Sequence, residues 1–428
     1  ERPEVSVVLP AETPEEVLYE EILDAEEDDF IATRSATEVS GRLLIGANSL
    51  KSRTESALTP GAGSSRTYLT PYAMLSLDAE GLPYGLGLRV RMRSEYRSVS
   101  GGRSSTPEFS VRTYDLYLKR EFERARVRVG RFSNQYVATG GYWDGILIDS
   151  GDSDFGYGGS FGFLPVRSNE QVSLDMPKAA LFAKFTRKSE TVTNRLDTYY
   201  LEIHPTNDLL TRRLFGLRHR LNWNGLGAYN RFELDRDPQS GHWVITRLSS
   251  RLSSALTNSL EIHGRFDMRQ PYSIYRSFDV ISYRRDQINT GLGYRSRFLY
   301  FAADLVWNYA YDSSEGRQLD GRSVTGTAAL SRVRGVGLTT SGSYWWSDFG
   351  ASMFGTVSLS RSFGRVSTRM YYQISGSSRF ETNLTTHSIA AQAAFPLGAR
   401  FRSTSKIRYQ TGDYVSSTAF ETSISIRL

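Results

Sequence analysis

The sequence predicts an all-β protein, a transmembrane antiparallel up-and-down β-barrel of about 20 strands, within a range of 18 to 22. Three observations support this fold class. The 428 residues contain no run of 18 apolar residues, which excludes a transmembrane helix. Apolar and polar side chains alternate with a period of two along much of residues 37–428, as they do in a β-strand. Aromatic residues and glycine are abundant, with 25 Tyr, 22 Phe, 6 Trp and 37 Gly.

Residues 1–36 form a separate acidic segment. Residues 1–30 contain twelve acidic side chains and one basic one, and the remaining residues contain 51 basic and 34 acidic side chains, a formal charge of +17. The run Thr13-Pro14-Glu15-Glu16 combines a capping Thr with a Pro at the first helical position, which indicates a short helix. A disordered acidic tail is the alternative. No later change in composition marks a boundary, so residues 37–428 are predicted to form one barrel.

The clearest strand is residues 85–96, in which apolar and charged side chains occupy opposite faces. The apolar face contains Leu86, Leu88, Val90 and Met92, and the other contains Arg89, Arg91, Arg93 and Glu95. Tyr84 and Tyr96 end the apolar face, and at a strand tilt of about 40° they lie roughly 30 Å apart along the membrane normal. That distance matches an apolar band bounded by aromatic girdles, so both tyrosines are predicted girdle residues.

The same alternation recurs along the chain. Arg124, Arg126 and Arg128 alternate with Ala125, Val127 and Val129, and the pattern returns in 226–235, 299–311, 366–374 and 417–428. Trp307 and Tyr309 end the apolar face of the 299–311 strand and add two predicted girdle positions. A soluble sandwich is the alternative, but its strands average about five or six residues and would be shorter than these patterns.

The connections are predicted to be short on one side of the barrel and long on the other. Tight turns occur at Phe363-Gly364 and Pro396-Leu397-Gly398, and longer polar connections occur at 50–65, 98–107 and 312–321. Outer-membrane barrels have short periplasmic turns, longer external loops and both termini in the periplasm. A barrel of this size is too wide for its wall side chains to fill, so its lumen must hold water, a plug or a partner.

The longest stretch without clean alternation is 133–177, after the fifth predicted strand. In this position, in the barrel pattern and in a C-terminal strand that ends on an apolar residue, the chain resembles bacterial outer-membrane porins. Porins typically end on Phe, whereas this chain ends on Leu428. The resemblance implies that 133–177 is a long loop that folds into the lumen and constricts it.

The resemblance also implies opposed rows of charge at that constriction. The acidic candidates are Asp144, Asp149, Asp152 and Asp154, and the pore-lining basic candidates are Arg89, Arg91, Arg93, Arg124, Arg126 and Arg128. Such rows create a transverse field that sorts solutes by charge. Two simpler interpretations stay open: a solvated loop with turn chemistry for the Asp residues, and ion pairs within the wall, such as Arg231 beside Glu233, that hold the wall rigid. Few acidic residues lie near these arginines in the sequence. We therefore expect their positive charge to be balanced by a bound anion, by the acidic loop or by the N-terminal segment.

The sequence does not support catalysis, cofactor binding or nucleic-acid binding. Cysteine is absent, which removes disulfides, thiolate metal sites, Cys nucleophiles and covalently attached haem. The five His residues are scattered among strands, and no nucleophile or metal-ligand motif occurs. The Arg residues alternate along strands instead of forming one stripe, which argues against DNA binding. We therefore predict a protein that is not an enzyme, without cofactor, metal or nucleic-acid partner.

Three functions fit these predictions. The first is an outer-membrane channel, in contact with outer-membrane lipid, for small hydrophilic solutes or ions. The second is a sheath around a protein that occupies the lumen, such as the multihaem cytochrome of a porin–cytochrome conduit. The third is a barrel plugged by its own acidic segment, an attraction that salt screens beyond about 8 Å. A homo-oligomer is compatible with each of them.

Overall fold

The structure, a computed structural model, describes residues 37–55, 63–100, 107–152, 154–166, 171–206, 211–238, 240–270, 283–312, 316–333, 335–348, 350–379 and 382–428. The predicted acidic segment and its short helix, residues 1–36, lie outside the described residues. Within them, no helix is long and apolar enough to cross a membrane.

Twenty-two strands make up most of the described chain, and each is between 9 and 20 residues long. The strands are β1 (Glu38–Glu55), β2 (Gly63–Leu82), β3 (Leu86–Ser100), β4 (Glu108–Glu121), β5 (Ala125–Ser133), β6 (Tyr142–Gly151), β7 (Phe155–Phe163), β8 (Pro177–Lys188), β9 (Val192–Ile203), β10 (Arg212–Trp223), β11 (Leu226–Arg236), β12 (Trp243–Ala255), β13 (Leu260–Arg269), β14 (Arg285–Arg295), β15 (Leu299–Asp312), β16 (Gly316–Val333), β17 (Val336–Ser347), β18 (Gly350–Phe363), β19 (Val366–Arg379), β20 (Thr382–Pro396), β21 (Phe401–Gly412) and β22 (Val415–Arg427).

The strands form one closed antiparallel barrel. Each strand pairs with its neighbours in sequence, and β22 pairs with β1 in a register that places Ile424 opposite Ile45. Closure leaves no strand edge unpaired, which is the condition for a sheet to exist in lipid. The predicted fold class is confirmed, and the 22 strands lie at the upper end of the predicted range.

The two rims of the barrel differ in their connections. One rim, which we call the short-turn rim, carries both ends of the barrel and ten turns of two to four residues. The opposite rim, the long-loop rim, carries connections of six to fifteen residues as far as β14 and of only two or three residues from β15 onward. The connection predicted at 312–321 is therefore too long, because Gly316 to Gly321 continue as strand β16.

The interpretation of 133–177 as one long loop is wrong. Residues 142–151 and 155–163 are the paired strands β6 and β7, joined by a turn on the short-turn rim. The connections on the long-loop rim are 134–141 and 164–176. Strand alternation was obscured here because β6 has apolar side chains on both faces and β7 is rich in glycine.

Opposite faces of the wall have opposite character. The outward face exposes large apolar side chains, for example Leu181 at 68 % and Phe161 at 61 %. Aromatic side chains also stand exposed at or beside turns of the short-turn rim: Tyr84, Phe122, Trp223, Phe298, Phe363 and Phe401. The inward face carries most of the ion pairs described below.

The predicted girdle residues lie in three settings. Tyr84 is in the turn between β2 and β3, with a positive φ of 66° and 85 % of its surface exposed. Tyr96 is in β3, opposite Phe109 of β4, and both are exposed. Trp307 and Tyr309 lie on the face of β15 that also carries the exposed Leu305. Their role as a membrane girdle stays a prediction.

Candidate functional site

A short segment, residues 134–141, turns from the long-loop rim into the lumen. The amide of Tyr136 donates to Asn134 Oδ1 at 2.9 Å and that of Val137 to the Asn134 carbonyl at 3.1 Å, which tightens the chain into a turn. Tyr136 stacks on Phe182 of β8 with ring centroids 4.3 Å apart. Tyr136 and Val137 are both buried, so this segment belongs to the packed interior.

Basic side chains of the wall hold this segment by its carbonyl groups. Arg218 Nη2 donates to the Gln135 carbonyl at 2.9 Å, and Arg231 Nη2 donates to the Ala138 carbonyl at 3.0 Å. Lys178 Nζ donates to the carbonyls of Gly140 and Tyr142 at 2.6 and 2.5 Å. A buried connection must satisfy its backbone polar groups, and here three cations do so.

An apolar cluster inside the barrel supports the inturned segment. It consists of Tyr117, Phe132, Tyr136, Val137, Trp143, Leu147, Ala180, Phe182, Tyr199, Leu201, Ile203 and Leu214. Trp143 and Phe132 are fully buried and sit opposite each other on β6 and β5. The wall from β4 to β10 therefore has a packed interior, and 134–141 caps it.

Next to this cluster the lumen wall carries buried carboxylates paired with arginine. Asp197 lies 2.8 Å from Arg218, Glu233 lies 2.7 Å from Arg231, and Asp235 lies 2.6 Å from Arg212. A buried carboxylate that lost its partner would be strongly destabilising. The predicted pairing of Arg231 with Glu233 is observed, so these charges stiffen the wall.

In three places among the described residues, a Tyr or His side chain reaches across a glycine to an acid two strands away. Tyr72 of β2 passes over Gly46 and donates to Glu421 of β22 at 3.3 Å. Tyr199 of β9 passes over Gly216 and donates to Glu233 of β11 at 3.0 Å. His263 of β13 passes over Gly291, with its Nε2 2.6 Å from Asp304 of β15. We call these three contacts the glycine bridges; each requires a residue without a Cβ on the middle strand.

The predicted pore-lining arginines are placed as follows. Arg89, Arg91 and Arg93 face the lumen and each has a carboxylate nearby: Asp78 at 3.5 Å, Asp115 at 3.5 Å and Glu95 at 3.0 Å. Arg128 lies over the Tyr117 ring, and Arg126 bonds Asp149 at 2.9 Å. Arg124 lies in the turn between β4 and β5 on the short-turn rim. Acids on β2 and β4 thus supply much of the negative charge near these arginines, which we had expected to come from a loop or an anion.

The four predicted constriction acids do not form one row. Asp149 lies in β6 and pairs with Arg126, and Asp144 pairs with Arg131 at 2.5 Å on the outward face that Ile146 shares. Asp152 and Asp154 lie at the turn after β6, on the short-turn rim. Asp152 Oδ1 accepts the amides of Asp154 and Phe155, and these hydrogen bonds lower the pKa of its carboxyl. Asp149 is thus paired with a predicted arginine, whereas Asp144 is paired with Arg131.

Sequence reasoning missed Lys178 and Arg218, two of the three cations that anchor the inturned segment. Lys178 shares its face of β8 with Ala180 and Phe182, and all three are buried. A lysine alternating with apolar residues is the one signal that could have marked an inward-facing, packed surface. Within the described residues, no group of three His, Cys, Asp or Glu side chains could hold a metal ion.

Comparison with known proteins adds information on the fold. No protein-family model matches the chain, and no curated protein matches it. Among solved structures, the ferric enterobactin receptor PfeA of Pseudomonas aeruginosa, a G324V mutant, is similar with a TM-score of 0.53 and 10 % identity, over 92 % of this chain and 81 % of that one. The translocation pore of the P pilus usher PapC is similar with a TM-score of 0.52 and 9 % identity, over 90 % of this chain and 99 % of that one. At these identities the likeness shows a shared fold, and it agrees with the resemblance in layout.

Proposed function

We propose that this chain is an outer-membrane channel through which small hydrophilic solutes or ions pass. The observation that carries the proposal is a closed barrel with an apolar exterior and a charged interior, whose width exceeds what its inturned segment fills. Twenty-two strands, spaced by about 4.8 Å and tilted by about 40°, enclose a backbone cylinder roughly 40 Å across. Residues 134–141 occupy one side of that space. The rim with both barrel ends is the periplasmic one in this proposal, as in other outer-membrane barrels.

The charge of the barrel favours anions as the preferred ions. Residues 31–428 have a formal charge of +17, and arginines such as Arg93 and Arg128 face the lumen. Charged walls in a narrow, low-dielectric passage raise the local concentration of the opposite ion. Passage of chloride in preference to potassium follows from this distribution.

Single-channel conductance of the refolded full chain in a planar bilayer tests the proposal. We expect stable open steps in 1 M KCl and a reversal potential, under a salt gradient, that indicates anion preference. Replacing Arg89, Arg91 and Arg93 together by Gln reduces that preference. The control replaces Arg361, Arg365 and Arg400, which lie at or near turns of the short-turn rim, and leaves the preference close to that of the parent. A correctly folded barrel that never conducts would refute the channel.

An occupied barrel is the second candidate, and the strand number favours it. Open porins have about 16 to 18 strands, whereas 22-stranded outer-membrane transporters contain a plug. The occupant is then the acidic segment 1–36 or a separate partner protein. Both versions predict a barrel that is closed to ions in some state. The plug version predicts that the full chain alone is closed and opens when the segment is removed, whereas the partner version predicts closure only when the partner is bound.

A further inference from the structure

Nine lumen-facing residues on three adjacent strands form a regular grid. Cross-strand register aligns Arg369, Gln392 and Lys406 in one row, Tyr371, Ala390 and Arg408 in the next, and Gln373, Ser388 and Gln410 in the third. The residues between them, such as Ile389 and Ile407, are exposed on the outward face. We call this surface the β19–β21 grid. Small Ala390 is at its centre, and the eight residues around it can all donate hydrogen bonds.

The grid contains three cations and no acid. Arg408 Nη2 donates to the Tyr371 hydroxyl at 3.3 Å, and Lys406 Nζ lies 5.6 Å from the centre of the Tyr371 ring. No carboxylate of the described chain forms an ion pair with Arg369, Lys406 or Arg408. Glu421 is opposite Lys406 on β22, but its carboxylate accepts the hydroxyl of Tyr72 instead. This contrasts with Arg212, Arg218 and Arg231, each of which has a buried carboxylate partner.

The grid also departs from the pattern of the glycine bridges. In those bridges a Tyr or His crosses a glycine and meets an acid on the next strand but one. Tyr371 likewise crosses the small Ala390, but it meets Arg408. Arg408 therefore lies where each of the three bridges has a carboxylate. A bound anion would supply the negative charge that this position lacks.

An unpartnered hydroxyl lies in the same surface. Ser388 is 6 % exposed, and its Oγ has no hydrogen-bond partner. It is beside Ala390 on the lumen face of β20, between Gln373 and Gln410. Buried hydroxyls are nearly always paired, so an unmade bond at this point marks a place for an incoming acceptor.

We propose that the β19–β21 grid binds the oxyanion group of a passing solute, a carboxylate or a phosphate. A guanidinium offers parallel N–H donors that match either group, and a lysine adds a compact charge beside it. The connections on the long-loop rim next to the grid have two residues each, so the grid lies under the less covered side of that rim. The proposal deepens the channel proposal, and rests on it for the claim that solutes pass; binding itself needs only the folded barrel.

The test measures weak binding to the full chain in detergent with two probes. Orthophosphate is followed by broadening of its ³¹P line and acetate by ¹H saturation transfer. We expect a saturable response to at least one probe, and a response to one alone identifies the group that is recognised. The double variant Lys406→Gln, Arg408→Gln is expected to weaken that binding at least tenfold. The single variant Arg369→Gln repeats the test with less disturbance of the wall.

The matched control is Arg42→Gln with Arg427→Gln. These two residues lie opposite each other on β1 and β22, on the lumen face near the short-turn rim, so the control removes the same charge elsewhere. It should change the affinity less than twofold. An equal loss in the control, or no saturable response in the parent to either probe, would overturn the proposal. A barrel that conducts ions but binds neither probe would refute the grid proposal and leave the channel proposal standing. A barrel that binds a probe but does not conduct would refute the channel proposal and leave the grid proposal standing.

Discussion

At the scale of the residue, the lumen depends on close approaches over glycine. A Cβ placed on Gly216 would overlap the Tyr199 ring, which is 2 % exposed and bonded to Glu233. Gly46 and Gly291 stand in the same relation to Tyr72 and His263. In each bridge one methyl group would separate a donor from its acid.

Gly216→Ala is predicted to destabilise the barrel by about 1–3 kcal/mol, the usual cost of forcing an extra group into a packed site. The measurement is the midpoint of guanidinium unfolding in lipid vesicles. Gly326→Ala is the control, because Gly326 lies within β16 and has no atom within 4 Å of the added carbon. Equal midpoints for the two variants would contradict the close approach.

Buried and exposed ion pairs should respond differently to the loss of one partner. Asp235 is fully buried and bonds Arg212 at 2.6 and 3.0 Å, and Thr246 also donates to it. Asp235→Asn should cost about 3–5 kcal/mol, because it leaves a buried guanidinium without its charge partner. Asp78→Asn should cost at most about 1 kcal/mol, since Asp78 is partly exposed and 3.5 Å from Arg89. Unfolding midpoints that fall in the reverse order would refute this assignment.

The sequence identifies some of these pairs and misses others for a physical reason. Arg231 and Glu233 are two residues apart on one strand, so a period of two brings them together, as predicted. Tyr199 meets Glu233 across an intervening strand, and strand order and register, which are tertiary properties, decide that contact. Nothing local in either segment indicates the partner.

At the scale of the element, the segment 134–141 shows where period-two reasoning fails. In β6 the inward Trp143 and Leu147 are packed under this segment, while the outward Ile146 and Ile148 are exposed. Both faces are therefore apolar and the alternation disappears. An inturned connection after the fifth strand was predicted, but its length of eight residues and its anchors could not be.

Tyr136→Ser is predicted to release this segment without unfolding the barrel. The variant removes a stack on Phe182 and a hydrogen bond to Asp149, and loss of a buried aromatic costs about 3–5 kcal/mol. Amide hydrogen exchange should accelerate in 134–141 and stay slow in the β1–β22 pair. Tyr157→Ser is the control, because Tyr157 is on the outward face of β7 and 54 % exposed. Unchanged exchange in Tyr136→Ser would show that the cations alone hold the segment.

At the scale of the whole molecule, the sequence predicts that the strands close into a barrel. It does not predict whether the lumen of that barrel is open or occupied. Alternation, aromatic ends and short turns are local, repeated signals, and together they predicted a barrel of nearly the observed strand number. Occupancy of the lumen depends on how elements meet across roughly 40 Å, a distance over which alternation carries no information. Experiments on the acidic segment supply that information.

Deletion of residues 1–34 removes twelve acidic and two basic side chains. For an open channel, conductance in 1 M KCl should stay unchanged, because the Debye length there is about 3 Å and charge at the mouth is screened. In 10 mM KCl, where the Debye length is about 30 Å, the deletion should increase the anion preference, since fewer acids attract potassium to the mouth.

A second variant keeps the segment and replaces its twelve acids by Gln and Asn, which separates charge from occupancy. For an open channel it should match the deletion in both salts, because only the charge acts. If only the deletion turns a closed barrel into an open one in 1 M KCl, the segment is a plug held by its packing; if both variants do so, electrostatic attraction holds it in place. If neither opens a closed barrel, the acidic segment is not the plug, and the channel proposal is refuted.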